Sequence, residues 1–185
     1  GEFRVSQNWI GVSLRDAAFV PPHHEHVVEL MSDLEKFLHS TDIHVHPLLR
    51  IAIAHYQFET IHPFLDGNGR LGRLMISLFL ASENLLTKPA LYLSDFFERN
   101  KSDYIDHLMA VRHGNHIDRW LVFFLHGVVE TAKASAQSFK QILELKSRID
   151  TEVLPRFSSR RQDNAQLVMR NLYARPIVDV SLVTK

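Results

Sequence analysis

The chain has 185 residues, of which 45% are hydrophobic and 23% are charged, and its formal net charge is zero. This composition predicts a soluble globular domain with a real core, with room for a fragment of a second domain. A zero net charge excludes a global basic field that would attract nucleic acid or acidic lipid, so any phosphate site must be local. The absence of cysteine excludes a disulfide framework and a cysteine-based metal site.

The N-terminal half predicts a short hairpin followed by helices. Bulky and β-branched residues indicate a hairpin over roughly residues 4–20, with its turn near Ser13–Asp16. Apolar spacing predicts a helix over residues 24–39 and a second over residues 48–61, which is apolar enough to be central and buried. Pro63 ends that second helix, because proline disfavours helical geometry in the residue before it.

A third helix is predicted to open at the glycine turn after the second. Its apolar residues recur at helical spacing, so we expect this stripe to be buried and Arg70 and Arg73 to lie on another face, over the turn. The stripe consists of Leu71, Leu74, Met75, Leu78 and Phe79.

The C-terminal half predicts further helices. They cover residues 94–111, with a possible cap at Ser102, then residues 117–149, and then Asp163–Tyr173. The predicted fold class is therefore mainly α, with one small β-hairpin near the N-terminus. No apolar run is long enough to span a bilayer.

The segment from His62 to Arg73 carries most of the chemistry in the sequence, and it reads His-Pro-Phe-Leu-Asp-Gly-Asn-Gly-Arg-Leu-Gly-Arg. His62 can take up a proton near neutral pH, and Asp66 can hold a hard cation. Gly67–Gly69 can turn several backbone N–H groups toward one anion at the start of a helix. Arg70 and Arg73 can clamp phosphate oxygens. The segment therefore predicts a nucleotide site with Mg²⁺ between the carboxylate and the phosphates.

This segment resembles the signature of the Fic family, His-x-Phe-x-(Asp/Glu)-Gly-Asn-Gly-(Arg/Lys)-x-x-Arg, and fills every specified position. The resemblance implies a Fic-type helical bundle that transfers AMP from ATP to a Ser, Thr or Tyr hydroxyl of a protein and releases pyrophosphate. Relatives that phosphorylate their target have lysine where this chain has Gly69-Arg70, so the resemblance favours AMP transfer. It also implies a bacterial, cytoplasmic setting.

The resemblance also assigns a role to each position. His62 would be the general base, and Asp66 the Mg²⁺ ligand. Arg70 would orient the β-phosphate of the leaving group, and Arg73 would hold the γ-phosphate. Tyr104 would lie near the adenosine, with Ile105 where relatives have a second tyrosine. The predicted nucleotide-binding residues are Asp66, Gly67, Asn68, Gly69, Arg70, Leu71, Arg73 and Tyr104.

The likeness extends beyond the signature. The hairpin resembles the family's flap, which holds a target segment by strand addition, so we expect a protein target there and possible self-modification. Residues 1–133 are expected to form the Fic core, with the flap at about 4–20. Residues 134–160 would be a helical linker. Residues 161–185 resemble the start of a winged helix-turn-helix module, truncated here, so DNA binding by this chain is not expected.

Many Fic proteins are restrained by a helix with the pattern (Ser/Thr)-x-x-x-Glu-(Gly/Asn). The sequence has one Ser-x-x-x-Glu, from Ser94 to Glu98, but Arg99 follows it and we interpret it as coincidental. We expect the inhibitory helix to lie upstream and this chain to be free of its restraint.

Three alternatives stay open from the sequence. The same site could remove AMP or use another nucleotide donor. The domain could sense nucleotide on behalf of a DNA-binding winged helix. The loop could also be structural, with Asp66 in a turn, the arginines in surface ion pairs, and no activity.

Overall fold

The computed structural model describes residues 2–13, 15–86 and 91–174 of the chain. The mainly α fold with one small hairpin is confirmed. The strands are β1 (Ile10–Gly11) and β2 (Ala17–Phe19). The helices are α1 (Val27–His39), α2 (Pro47–Ile61), α3 (Asn68–Ser82), α4 (Leu93–Arg99), α5 (Lys101–Gly114), α6 (Ile117–Arg148) and α7 (Ser159–Ala174). Short 3₁₀ turns at His24–His26 and Leu154–Arg156 and a π turn at Ile149–Val153 complete the elements.

The two strands of the hairpin are shorter than the predicted segment. They pair antiparallel, with Ile10 opposite Phe19 and Gly11 opposite Ala17, and the register shifts between the two pairs. Across the turn, the Asp16 amide donates to the Ser13 carbonyl oxygen at 3.2 Å. Leu14, within the predicted turn, lies outside the described residues.

Helix α2 is central and buried, as its apolar sequence predicts. His46 caps its N-terminus by accepting a hydrogen bond from the Leu48 amide, and Pro47 occupies the first helical position, where its missing N–H costs nothing. Trp120 of α6 is fully buried and donates its indole N–H to the Ala52 carbonyl oxygen at 2.9 Å. This bond satisfies the one polar atom of a large core side chain.

The predicted cap at Ser102 is wrong. Helix α4 ends at Arg99 and α5 begins at Lys101, with Asn100 between them. The Asn100 side chain donates back to the Phe96 carbonyl oxygen at 2.8 Å, which satisfies an open carbonyl at the end of α4. The helix boundary is therefore set by this amide.

The expectation that the leucine stripe of α3 is buried is wrong for its leucines. Leu71, Leu74 and Leu78 are 42%, 51% and 55% exposed. The buried face instead carries Asn68, Gly72, Ile76, Phe79 and Leu80. Helix α3 is apolar on most sides, so the spacing of its apolar residues is compatible with two different buried faces. The face that packs against α2 contains Gly72, where a methyl group would meet side chains of α2.

The chain divides into two compact units, Gly1–Ser135 and Ala136–Lys185. The first holds the hairpin, helices α1–α5 and the first part of α6. The second holds the end of α6 and α7, while residues 175–185 of the predicted winged-helix segment lie outside the described residues. The assignment of a core, a linker and a winged-helix fragment stays a prediction. Among the described residues, no helix is both long and apolar enough to cross a membrane.

The contact between α6 and α4 yields a test of the core. A methyl group at Gly127 would lie 2.5 Å from the Phe96 ring, and Phe96 is buried. We expect Gly127→Ala to lower the free energy of unfolding by about 1–3 kcal/mol, because overpacking outweighs the gain in helix propensity. Urea denaturation measures this. The control Ser138→Ala, on an exposed face of α6, should change stability by no more than about 0.5 kcal/mol. Equal effects of the two changes would contradict the packing.

Candidate active site

His62 ends helix α2 in an unusual backbone conformation. Its φ is 49° and its ψ is 60°, in the left-handed region that few residues other than glycine adopt. Its amide still donates to the Phe58 carbonyl oxygen at 2.9 Å, which completes the last turn of the helix. The chain therefore turns sharply at His62 and enters the signature loop, with the imidazole at the bend.

A buried arginine from the N-terminal segment holds this bend. Arg4 is 3% exposed, and its guanidinium donates to the His62 carbonyl oxygen at 3.0 Å and to the Ile61 carbonyl oxygen at 3.3 Å. The same guanidinium donates to the carbonyl oxygens of Ser6 and Pro22. Arg4 thus neutralises open carbonyls at the end of α2 and joins them to both ends of the segment that carries the hairpin.

Two asparagines fix the next turn of the loop. The Asn68 side chain accepts from the Phe64 amide at 2.9 Å and donates to the Phe64 carbonyl oxygen at 2.7 Å. Asn8 donates its side-chain amide to that same carbonyl oxygen at 3.1 Å. The side chain of Asn68 is buried and committed to the loop. Only its backbone N–H is therefore available to the predicted anion nest.

The glycine turn leads directly into α3. Gly67 has a φ of 84° and serves as the cap residue, so a side chain there would be strained. The first N–H groups of α3, from Asn68 onward, have no acceptor within the helix and carry its positive dipole end. The N-terminus of α3 has the geometry of an anion-binding site, and Asp66 and His62 lie on the loop that precedes it.

Charged side chains surround the turn. Arg70 pairs with Asp66 at 3.0 Å, and both side chains are largely exposed. Arg73 donates its Nε–H to the Ser94 hydroxyl at 3.2 Å, and its guanidinium lies beside Gly69, where a methyl group would be 3.0 Å from Nη1. A cavity of about 350 Å³ lies against both arginines. It is lined by Arg70, Arg73, Leu74, Ser77, Leu78, Leu91, Tyr92, Leu93 and Ser94.

The surroundings of His62 favour its neutral form. Burial lowers the pKa of His62, and the positive charges of Arg112 and Arg4 act in the same direction. The backbone carbonyl of Glu59, one turn earlier, opposes this fall in pKa. Nδ1 of His62 is buried, and among the described residues it has no hydrogen bond of normal geometry. A neutral imidazole at pH 7 is the form that can accept a proton.

Tyr104 contacts buried side chains of the core. Its hydroxyl is 3.0 Å from Nε2 of the buried His55, and its ring packs against Phe97 with centroids 4.7 Å apart. Burial lowers the pKa of His55 to about 4 and raises the pKa of Tyr104, so both are neutral at pH 7. The place of Tyr104 near an adenosine stays a prediction. Leu71, another predicted nucleotide-binding residue, is on the exposed face of α3.

Glu59 is a buried carboxyl group behind the signature loop. It is 7% exposed, and Oε1 has no hydrogen-bond partner in the described part of the chain. A methyl group at Gly72 would lie 2.6 Å from that oxygen, so the glycine makes room for the carboxyl group. Burial raises the pKa of Glu59 to about 7, and the charges of Arg73 and Arg112 oppose this rise.

The sequence analysis missed the residues that support the loop. Arg4, Asn8, Glu59 and Arg112 belong to no short motif, and their partners lie far along the chain. Arg112 donates to the Glu59 carbonyl oxygen at 3.2 Å, and its guanidinium lies 3.5 Å from the centroid of the Phe19 ring on β2. The one signal in the sequence that could have indicated them was the presence of Arg112 and Glu59 within otherwise apolar segments.

Residues 1–80, which include the loop, match the model of the Fic/DOC family. This part of the chain is therefore similar to a Fic domain. It is 40% identical over 81 residues to the protein adenylyltransferase Fic of Drosophila erecta, a match that covers 43% of this chain and 15% of that protein. It is 33% identical over 116 residues to the protein of the same name from Aedes aegypti, with 62% of this chain and 21% of that protein covered.

A solved structure shows the same fold. The crystal structure of a Fic family protein from Desulfovibrio desulfuricans G20 matches with a TM-score of 0.64 and 29% sequence identity. The match covers 74% of this chain and 41% of that chain. The present chain therefore spans only a minor part of these relatives, about a fifth or less of the curated ones. The likeness confirms the Fic-type bundle.

The Arg4 contacts yield a test of how the signature loop is held. We expect Arg4→Met to lower the free energy of unfolding by about 2–4 kcal/mol, because it leaves several carbonyl oxygens buried and unpaired. Chemical denaturation followed by circular dichroism measures the loss. Arg15→Met, at an exposed position of the hairpin, is the matched control and should be nearly neutral. If Arg4→Met left the free energy of unfolding unchanged, the loop would not depend on the Arg4 hydrogen bonds.

The buried carboxyl group yields a test by pH. The ordinary pKa of a glutamate carboxyl group is near 4.5, and burial raises the pKa of Glu59 to about 7. The protonated form of Glu59 makes its full contribution to the free energy of unfolding below pH 4.5. This contribution is lost as the pH rises through 7, and the loss amounts to up to about 3 kcal/mol. Glu59→Gln removes this loss. The stability difference between the variant and the wild type should therefore grow from pH 4.5 to 7.5, which denaturation at several pH values measures. A constant difference would contradict the raised pKa.

Proposed function

We propose that this chain is a protein adenylyltransferase that moves AMP from ATP to a Ser, Thr or Tyr hydroxyl of a protein. The observation that carries the proposal is the arrangement of the signature loop. A neutral imidazole, a carboxylate, a left-handed glycine turn at a helix N-terminus and two arginines lie within twelve consecutive residues, His62 to Arg73. Relatives that are 33–40% identical to this chain over the matched residues are named protein adenylyltransferases.

The chemical step needs a base and a leaving group held in line. In the proposed reaction the target hydroxyl oxygen bonds to the α-phosphorus of ATP, and the bond from that phosphorus to the oxygen bridging the β-phosphorus breaks. His62 takes the hydroxyl proton, and pyrophosphate leaves with the electron pair of the broken bond. The lowered pKa of His62 supports this role, because the base must be unprotonated when the target arrives.

Backbone and arginine donors would hold the phosphates. The N–H groups of Asn68 and Gly69 at the start of α3 suit phosphate oxygens, which carry the charge that a helix N-terminus favours. Arg70 would orient the β-phosphate and Arg73 the γ-phosphate. Both guanidiniums line one cavity, which supports a shared anionic ligand. Phosphoryl and nucleotidyl transfers depend mainly on such positioning and charge neutralisation.

The loop also fits a Mg²⁺ ion. Asp66 offers a hard oxygen ligand beside the anion site, and its largely exposed side chain can exchange its pairing with Arg70 for a cation. Mg²⁺ would need further ligands, which phosphate oxygens and water commonly supply. When bound, the ion would neutralise phosphate charge and keep Asp66 from repelling the nucleotide.

The target would bind along the hairpin. Strand β1 and strand β2 form a sheet of two strands, so its edges can accept an added strand. Gln7 donates to the Pro21 carbonyl oxygen at 2.9 Å and Asn8 to the loop, so the hairpin base is tied to the catalytic segment. Exposed serines and tyrosines make self-modification an additional proposed outcome.

The first test is transfer of α-labelled ATP onto protein in the presence of Mg²⁺. We expect label on the wild type and a loss of about 10²–10⁴-fold in rate for His62→Ala, since the general base is gone. Asp66→Ala should lose activity that extra Mg²⁺ partly restores. His113→Ala and Asp106→Ala, both exposed and outside the loop, are the matched controls.

The other outcomes separate the competing functions. Label that His62→Ala retains would contradict the role of His62. ATP binding without transfer, even with cell lysate as a source of targets, would favour a nucleotide-sensing module. Removal of label from a pre-modified protein would favour the reverse reaction at the same site. Transfer of γ-label in place of α-label would identify a phosphotransferase.

A further inference from the structure

Glu59 has no role in the proposed chemistry, yet its position is costly. An unpaired buried carboxyl group is unfavourable, and such groups are uncommon in native cores. Glu59 follows His55 by one turn on α2 and precedes His62 by three residues, so it shares their face of the helix. Its carboxyl group lies against Gly72, the residue before Arg73. The fold thus reserves space for this group directly behind the predicted γ-phosphate ligand.

The groups around Glu59 come from three helices. They are His55 of α2, Arg73 of α3, and Tyr104 and Arg112 of α5. No arginine, lysine or histidine among the described residues forms an ion pair with Glu59. The buried His55 and Tyr104 are neutral between pH 6 and 8.5, and the arginines remain cationic. Among these five groups, Glu59 alone changes charge in that range. His62, on the same face of α2 and with a pKa that burial lowers, is a further titratable group and is present in both the wild type and its Glu59→Gln variant.

Arg73 acts on both this carboxyl group and the cavity. Its guanidinium lines the cavity with Arg70 and donates to the Ser94 hydroxyl, and its positive charge acts on the buried carboxyl group of Glu59. An anion in the cavity and a carboxylate at position 59 would compete for the same cation. They would also repel each other through a poorly screened interior.

We propose that Glu59 is a positioning residue whose carboxyl group sets how tightly Arg73 holds the terminal phosphate of the nucleotide. The neutral acid leaves Arg73 available to the phosphate, and the carboxylate draws it toward the core and weakens the hold. The inference rests on the proposed function, since it takes the cavity ligand to be a nucleoside triphosphate. By linkage, triphosphate binding promotes proton uptake at Glu59.

The experiment compares ATP affinity in the wild type and in Glu59→Gln at pH 6 and pH 8.5, at fixed Mg²⁺. Glutamine keeps the size of the side chain and cannot ionise. The ratio of the two dissociation constants is the measured quantity, because the terminal phosphate of ATP also titrates near this range and cancels in the ratio. We expect the ratio of wild type to variant to rise about 3- to 10-fold from pH 6 to pH 8.5. In steady-state transfer the same change should appear in KM for ATP, with kcat unaltered.

Two controls assign the effect to Arg73. AMP, which lacks the outer phosphates, should show no pH-dependent ratio. In an Arg73→Ala background, Glu59→Gln should no longer change ATP affinity with pH. The exposed Glu35→Gln is the matched control for loss of a carboxylate.

Each other result overturns the inference in a recognisable way. A ratio that is equal at both pH values indicates a purely structural role for Glu59. A pH-dependent ratio that persists in Arg73→Ala contradicts action through Arg73. If the wild type binds no ATP at either pH, the proposed function fails and this inference fails with it. ATP binding without a pH-dependent ratio overturns the inference alone.

Discussion

The sharp turn at the end of α2 is the constraint on which the site depends. It places His62 in a left-handed conformation and turns the last carbonyl groups of the helix away from any helical partner. The carbonyl oxygens of Ile61 and His62 accept from the buried guanidinium of Arg4, and that of His62 also accepts from the Asn8 side chain, both from the N-terminal segment. The catalytic candidate and the hairpin are thereby held by the same hydrogen bonds. A displacement of the hairpin would leave buried carbonyl oxygens unpaired, which ties the predicted target surface to the position of the imidazole.

The second feature is the closeness of α2 and α3. Gly72 allows the two helices to approach, and the space that a side chain would fill is taken by the polar groups of Glu59 and His55. The core beneath the loop is therefore unusually polar, and burial keeps His55 neutral and raises the pKa of Glu59 to about 7. Perturbed groups of this kind gather at functional sites, because charge in a poorly solvated interior acts strongly on its neighbours. Arg73 lines the cavity, and its charge acts on Glu59, so it is coupled to both.

Much of the fold could be predicted from local sequence. The apolar run of α2, the proline after His62 and the glycine turn before α3 are short-range signals, and they place the helices and the loop correctly. The inner face of α3 could not be predicted, because Leu71, Leu74 and Leu78 compete with Ile76 and Leu80 as an apolar stripe. Apolar periodicity predicts that a helix has a buried face, whereas packing against a neighbouring helix decides which face that is. Likewise Ser94 contacts Arg73, although its own sequence context gives no reason to expect this.

By itself the sequence determined the mainly α class, the Fic signature and the order of groups along the loop, because these depend on residues close together in the chain. The tertiary structure alone decided which distant side chains hold that loop. Arg4 and Arg112 reach the end of α2 from positions more than 50 residues away along the chain, and the Tyr104 hydroxyl pairs with the buried His55. Such contacts follow from which buried polar atoms remain unpaired once the helices have packed. That condition exists only in the assembled fold.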